Sequence, residues 1–336
     1  MSRKGICVAG NLIVDILYPL SNWPSKGELV TILGDKEMAG GGLAFNTPMS
    51  LSMLDAQLPI TILGNLGPDA EGDLLLQLFA SRPNIHTEHV VRKGSTSYTL
   101  VLNDMQTMER TFFQFRGANA DFNGLDIPWD KLNARMFHAG YILLMDGLDA
   151  PDDEYGTRMA RMLCRARQEG MKTSVDVVSE ASDRFKHIVP PALKYTDCCI
   201  INEYEAQQAT GIPLKDVGPD LQQQNMPKAL EALHGFGVRE WAVIHCPQGG
   251  YGLDARGNYI SLPSLRLPQG YVKGTTGAGD AFCAGVLYGA HEGMALQDAI
   301  RLGTASAAGS LGEKDSFSGV QAADRMMDFY RRMGGV

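Results

Sequence analysis

From residue 137 onward, apolar and polar positions settle into a regular rhythm. Residues 137–144, 173–178, 197–201 and 241–245 are apolar runs of strand length. Between the first two, residues 155–168 carry Met159, Met162, Leu163 and Ala166 at i, i+3, i+4 and i+7, the stripe of a helix laid on a core. Further helices are expected over 203–209, closed by Gly211, and over 228–233. Strands alternating with helices predict right-handed crossovers and a mostly parallel sheet covered on both faces, with the ligand site at the carboxyl ends of the strands.

The first 120 residues break that rhythm. Residues 5–18 read as a buried strand that opens the core sheet and carries Asn11 and Asp15 near its end. Residues 60–63 form an apolar strand ending at Gly64, between helical stretches at 51–54 and 73–79. Residues 28–38 and 96–115 alternate with period two, which predicts two antiparallel β segments, the second folded at a turn over 103–106. These segments are expected to form a small lid. The expected division is a core of residues 1–16, 45–95 and 119–336, with the lid at 17–44 and 96–118.

Composition narrows the class without changing this picture. With 44% hydrophobic and 20% charged residues, the chain has the material for a large core and none of the signature of disorder. Its 336 residues fit one domain or two. A net charge of -8 and the lack of a long basic run argue against a nucleic-acid partner. The six cysteines have no CxxC spacing and read as reduced and structural. Gly10, Asn11 and Asp15 interrupt the first apolar run too early for a signal peptide, and no stretch approaches the ~20 apolar residues of a membrane span. The expected address is the cytoplasm.

Three segments carry candidate chemistry. In Thr275-Thr276-Gly277-Ala278-Gly279-Asp280-Ala281-Phe282, small residues at a helix start leave backbone N–H groups free to hold phosphate, with Asp280 in the first turn as a base for a hydroxyl. The same residues also read as a tight turn with Asp280 as a helix cap. In Ala39-Gly40-Gly41-Gly42-Leu43-Ala44-Phe45-Asn46, the glycines allow close approach to a ligand and Asn46 suits hydroxyl groups; a hinge with Asn46 as N-cap is the alternative. Asn202-Glu203-Tyr204-Glu205 follows an apolar strand, which suits hydrated Mg²⁺ but equally an acidic helix N-terminus. Residues 67–73 have P-loop glycine spacing, yet Asp73 stands where a lysine is needed. The seven histidines show no HExxH or HxxxH pattern, so zinc has no support.

In this order, together with the early strand ending in Asp15 and the stretch Gly64-Asn65-Leu66-Gly67-Pro68-Asp69-Ala70-Glu71-Gly72, these segments resemble the ribokinase-like (PfkB) carbohydrate kinase family over nearly the whole chain. The resemblance implies a three-layer α/β/α core with a mostly parallel sheet and a β-sheet lid. It also implies ATP-dependent transfer of the γ-phosphoryl group, with Mg²⁺, to a hydroxyl of a sugar or polyol. Asp280 resembles the catalytic base and Gly277, Ala278 and Gly279 the anion hole; Asn11, Asp15, Gly41, Gly42 and Asn46 resemble substrate contacts. Asn202, Gly250, Thr275 and Thr304 fall on the nucleotide side, Glu205 on the metal, and Gly117-Ala118-Asn119 where the lid rejoins the core.

There are three departures from the family pattern. Gly274 replaces a carboxylate that helps hold a monovalent cation in relatives, which puts K⁺ activation in question. Gly303-Thr304-Ala305 replaces an Ala-Asn-Ala run on the adenine side, and the loop at 245–250 keeps Gly250 but lacks a phosphate-binding threonine. Competing readings are a nucleoside kinase, with Phe45, Phe112, Phe113 or Phe115 stacking a base, and a sugar-binding protein whose kinase site has decayed. The four phenylalanines also read as the buried face of the lid, or as its dimer clasp. The lid's uncovered edge invites a homodimer.

Overall fold

A ten-stranded sheet carries the core of the computed structural model, which describes residues 4–107, 109–215 and 221–335. Met108 of the second lid arm, and residues 1–3, 216–220 and 336 of the expected core, lie outside the described residues. From one edge the strands run Tyr259–Pro263, Gly249–Asp254, Trp241–Cys246, Cys198–Asn202, Lys172–Val177, Met136–Ile142, Ile6–Gly10, Ile60–Leu66 and Ile85–His86, with Val90–Arg92 also on Ile60–Leu66. Pairing is parallel from Trp241–Cys246 to Ile85–His86 and antiparallel only in the hairpins at the other edge.

Strand alternation divides the core into two layers, because successive side chains leave opposite faces of a sheet. Ile6, Val8, Ile60, Ile62 and Ile200 pack against helices Leu43–Leu54, Ala278–Glu292 and Leu296–Ser310. Cys7, Ala9, Phe137, Val175 and Ile201 pack against Arg158–Gln168, Phe185–Leu193 and Met226–Gly235. The result is the expected three-layer α/β/α arrangement. Cys7, Cys198, Cys199 and Cys283 serve within it as small apolar residues, and all six cysteines are unpaired.

Four details differ from the sequence reading. The apolar run at 5–18 is two strands, and the second, Ile13–Leu20, belongs to the lid. Asn119 makes the break by accepting from the Leu12 amide at 3.1 Å and donating to its carbonyl at 3.0 Å, which turns the chain out of the core sheet. The lid therefore starts near residue 13, not 17. Its order is Glu37–Gly41, Ile13–Leu20, Ser97–Asp104 and Arg110–Phe115, and the central pair is parallel, so the lid sheet is mixed. Of the alternation at 28–38, only Glu37 and Met38 fall in a strand, because the preceding loop touches the sheet at a single Leu20–Ile32 bridge. The helix expected at 51–54 begins at Leu43 and includes Asn46.

The two helices behind the site touch backbone to backbone. A Cβ on Gly285 would stand 2.6 Å from the Cα and N of Gly303. Alanine gains about 1 kcal/mol of helix propensity over glycine, but two helix backbones separate less readily than side chains shift. Gly285→Ala is therefore expected to destabilise the protein by about 1–3 kcal/mol, read as a lower urea midpoint. An unchanged or higher midpoint would refute the close-contact account.

Candidate active site

Asp280 lies in the first turn of the Ala278–Glu292 helix and is only 5% exposed. Gly277 caps that helix with φ 77°, a left-handed conformation that glycine adopts freely, and a Cβ there would lie 2.1 Å from Ser316 Cβ. Gly279 faces the His245 imidazole, 3.2 Å from where its own Cβ would be. The small residues of this segment thus let the helix start approach its neighbours, with the first N–H groups free of intrahelical partners.

The Asp280 carboxylate is held by donors from three directions. Asn46 Nδ2 donates to Oδ2 at 2.9 Å, the Tyr141 hydroxyl donates to Oδ1, and Thr47 Oγ1 stands 3.5 Å from Oδ1. Burial raises the pKa of Asp280, and these three donors offset part of the rise. Tyr141 is itself pushed well above the ordinary phenol value, by burial first and by Asp280 and Asp176 next, so it remains a proton donor.

The sequence-predicted substrate residues gather on the lid side of this carboxylate. Burial, with Asp280 nearby, raises Asp15 to about 6 against a hydrogen bond from Thr99. Gly41 makes room for it, since a Cβ there would fall 2.4 Å from Asp15 Oδ2. Gly42, at φ 84°, begins the Leu43–Leu54 helix, where Asn11 Oδ1 accepts from the Leu43 amide at 3.1 Å. Asn11 Nδ2 is buried without a partner, 3.0 Å from where a Gly42 Cβ would sit. Asn46 is engaged differently from the sequence reading. Its Nδ2 holds Asp280 and its Oδ1 accepts from Ser316 Oγ at 2.7 Å, so it positions the Asp280 carboxylate.

Asp280 lines a cavity of about 260 Å³ together with Tyr141, Asp176, Asn202, Glu205 and Gly279. Asn202 and Glu205 close a reciprocal cap at the start of the Glu203–Thr210 helix. Glu205 Oε2 accepts from the Asn202 amide at 2.8 Å; Oε1 accepts from Ser179 Oγ at 2.8 Å and Asn202 Nδ2 at 2.7 Å. Burial drives Glu205 up to about 8, and it drives Asp176 well above the usual carboxylate range, with Glu205 and Asp280 adding repulsion. No lysine or arginine lines this cavity among the described residues. Nor do three His, Cys, Asp or Glu converge closely enough to hold an ion directly. Such a donor set suits a hydrated divalent cation, which keeps most of its waters.

A second cavity, of about 460 Å³, opens on the far side of the Gly277–Gly279 turn and is mostly apolar, with Thr275, Phe282, Leu265, Thr304 and Ala308 in its wall. Thr304 Oγ1 is buried there without a partner. Gly250 is not in this wall. A Cβ on it would meet Ile300 at 2.7 Å and Phe282 at 3.1 Å, and the wall residue is Gly249.

Three further residues carry no signal strong enough to find from sequence. Tyr141 belongs to an apolar strand and looked like core. His245 lines both cavities with its ring centroid 4.9 Å from that of Phe282, and burial lowers its pKa to about 4, so it is neutral. Arg110 Nη1 donates to Thr276 Oγ1 at 3.1 Å, linking the lid to the turn before the Ala278–Glu292 helix. Lid register puts Arg110, Phe112 and Gln114 on the face shared with Asp15 and Thr99, and Phe113 and Phe115 on the other. Phe45 is in the core against Phe79. The P-loop-like stretch instead caps a helix, with Asp69 Oδ1 accepting from the Gly72 amide at 2.9 Å.

The chain is similar over most of its length to known proteins. It is 24% identical over 334 residues to a ribokinase of Haemophilus influenzae, covering 97% of this chain and 98% of that protein. It is 24% identical over 314 residues to the ketohexokinase of Mus musculus, covering 90% and 94%. In fold it is similar to the structure of Arabidopsis thaliana ribokinase complexed with ribose and ATP, with a TM-score of 0.79, 19% identity and 98% of each chain covered. Among the described residues no helix is long and apolar enough to cross a membrane. Residues 3–322 match the model of the pfkB family carbohydrate kinases, and the chain belongs to that family, a phosphotransferase with an alcohol group as acceptor.

Proposed function

We propose that this kinase transfers the γ-phosphoryl group of ATP to a sugar or sugar-like polyol with Asp280 as general base and the N–H groups of Gly277, Ala278 and Gly279 as anion hole. The observation that carries this reading is a buried carboxylate at a helix N-terminus between two cavities, oriented by Asn46, Tyr141 and Thr47. Asp15 is suited to grip an acceptor hydroxyl on the lid side, with the buried Asn11 fixing the Leu43 amide at the neighbouring helix start. The apolar cavity, with Thr304 in its wall, suits a purine.

Glu205 and Asp176 would hold Mg²⁺ through water, since Glu205 already spends both oxygens on hydrogen bonds. Such an ion supplies charge neutralisation at the phosphates. Gly274 leaves no carboxylate for a monovalent cation at its position, which weighs against K⁺ activation. A nucleoside acceptor is the second reading. It is favoured by Phe112, 61% exposed on the lid face that carries Asp15, and by a 25% identity over 187 residues to a cytidine kinase of Thermococcus kodakarensis. As partner we propose a second copy through the opposite lid face, where Trp23 stacks on Phe113 at 6.4 Å and Phe115 is also exposed.

An ADP-release screen over sugars, polyols, sugar acids and nucleosides should identify the acceptor. On it, Asp280→Asn should lose roughly 100- to 10,000-fold in kcat; a loss of only a few-fold would remove Asp280 as the base.

The carboxylate chamber predicts a pH signature in metal-free buffer. The pKa of Asp176 is higher in the folded than in the unfolded chain, so wild type loses stability as pH climbs from the ordinary carboxylate range towards the folded pKa. Asp176→Asn escapes that loss. Its thermal midpoint should exceed that of wild type at pH 8, by a margin that shrinks towards pH 5; a constant margin would contradict the account. Sedimentation should report a dimer that Phe113→Glu converts to monomer, and a monomeric wild type would exclude the lid interface.

A further inference from the structure

The donors around Asp280 are distributed unevenly, and the unevenness bears on which atom the base uses. An ionised carboxylate offers about four acceptor positions, two on each oxygen. On Oδ1 the Tyr141 hydroxyl fills one position and Thr47 Oγ1, at 3.5 Å, covers the other. On Oδ2 Asn46 fills one, and among the described residues nothing fills the second. Tyr141 also lines the cavity shared with Asp176 and Glu205, the chamber in which water would be found beside the phosphates. Asp280 lines that chamber as well, and the Tyr141 hydroxyl occupies its Oδ1 there.

We propose that Tyr141 is a positioning residue that closes Oδ1 of Asp280, leaving Oδ2 as the one proton acceptor and so directing the phosphoryl group to the sugar hydroxyl and away from water. The inference rests on the reading of Asp280 as general base. In the productive reaction the acceptor oxygen bonds to the γ-phosphorus, the bond from that phosphorus to the bridging oxygen of ADP breaks with its electron pair leaving on ADP, and the hydroxyl proton passes to Oδ2. In the wasteful reaction a water oxygen makes the same bond and its proton passes to Oδ1. The phenol blocks the second route at the proton acceptor. Its raised pKa keeps it a donor across the working pH range.

The test is Tyr141→Phe, which removes one oxygen and keeps the ring. ATP hydrolysis without acceptor should rise several-fold. kcat for the best acceptor should fall roughly tenfold, the size of losing one hydrogen bond to a charged group, with KM for ATP unchanged. The ratio of hydrolysis to transfer is the deciding readout, because a merely structural Tyr141 would lower both rates together. Unchanged rates, or a parallel fall in both, would overturn the proposal.

Adding Asp280→Asn to Tyr141→Phe should abolish the hydrolysis, and a leak that persists would likewise overturn it. Asp280→Asn alone separates the two claims. If it keeps full transfer activity, the base assignment fails. If it is inactive while Tyr141→Phe behaves as wild type, only the role of Tyr141 fails. Should Tyr141→Phe unfold below assay temperature, Thr47→Val opens the other Oδ1 position and carries the same expected rise in hydrolysis, with no rise counting against the proposal.

Discussion

An ionised carboxylate enclosed by protein is costly unless its lone pairs are met by donors, and Asp280 is enclosed almost completely. The chain answers from widely separated positions. Asn46 and Thr47 come from the helix after the first lid arm, Tyr141 from a central strand, and Ser316, which fixes Asn46, from beyond the last helix of the site. Only a sheet that sets the strand ends side by side, with the Leu43–Leu54 and Ala278–Glu292 helices packed on one face, brings these groups within 3.5 Å of one side chain or its partner. The three-layer fold is in this sense the scaffold of one hydrogen-bonding shell.

The glycines belong to the same constraint. A donor or a turn can reach a buried carboxylate only where no side chain intervenes, and the Cβ positions of Gly41 and Gly277 are occupied by Asp15 Oδ2 and Ser316 Cβ. Gly42 adds a positive φ at the helix start that Asn11 caps. These positions therefore serve the packing of the site as directly as any contact with a ligand.

That double service explains what the sequence made legible. Glycine-rich turns next to Asp280 and Asn46 are visible because close approach forbids other residues, and the strand–helix rhythm after residue 137 is visible because two-sided burial enforces apolar runs. The reversal at Asn11 and Leu12 was not visible. The strand flows on in apolar residues, and the side chain that breaks it is Asn119, more than 100 residues away. The parallel pairing within the lid was hidden for a similar reason, since period-two alternation is the same in either direction. Tyr141 and His245 escaped notice because an aromatic or imidazole in an apolar strand is most often core; what sets them apart is the cavity at the strand end. At Gly249 and Gly250 a step of one residue along the strand exchanges the faces, from the cavity wall at Gly249 to the helix contact of Gly250 at Ile300, a difference that sequence alone does not display.

The distribution of charge completes the picture. Four acidic groups, Asp15, Asp176, Glu205 and Asp280, surround the proposed point of transfer, and all have pKa values raised first by burial. Once ionised, such a site repels a polyanionic nucleotide unless something of opposite sign is present. Side chains supply little of it, with Arg110 at Thr276 the lid's contribution. The remainder comes from the backbone, through the unpaired N–H groups and positive dipole end of the Ala278–Glu292 helix, and from whatever cation arrives with the nucleotide. Under the proposed reading, this arrangement couples affinity to catalysis. In the ligand-free chamber the raised pKa values hold protons on these groups, and a cation entering with the phosphates displaces them, so the nucleotide binds most tightly in the state in which Asp280 is ionised and able to take the hydroxyl proton.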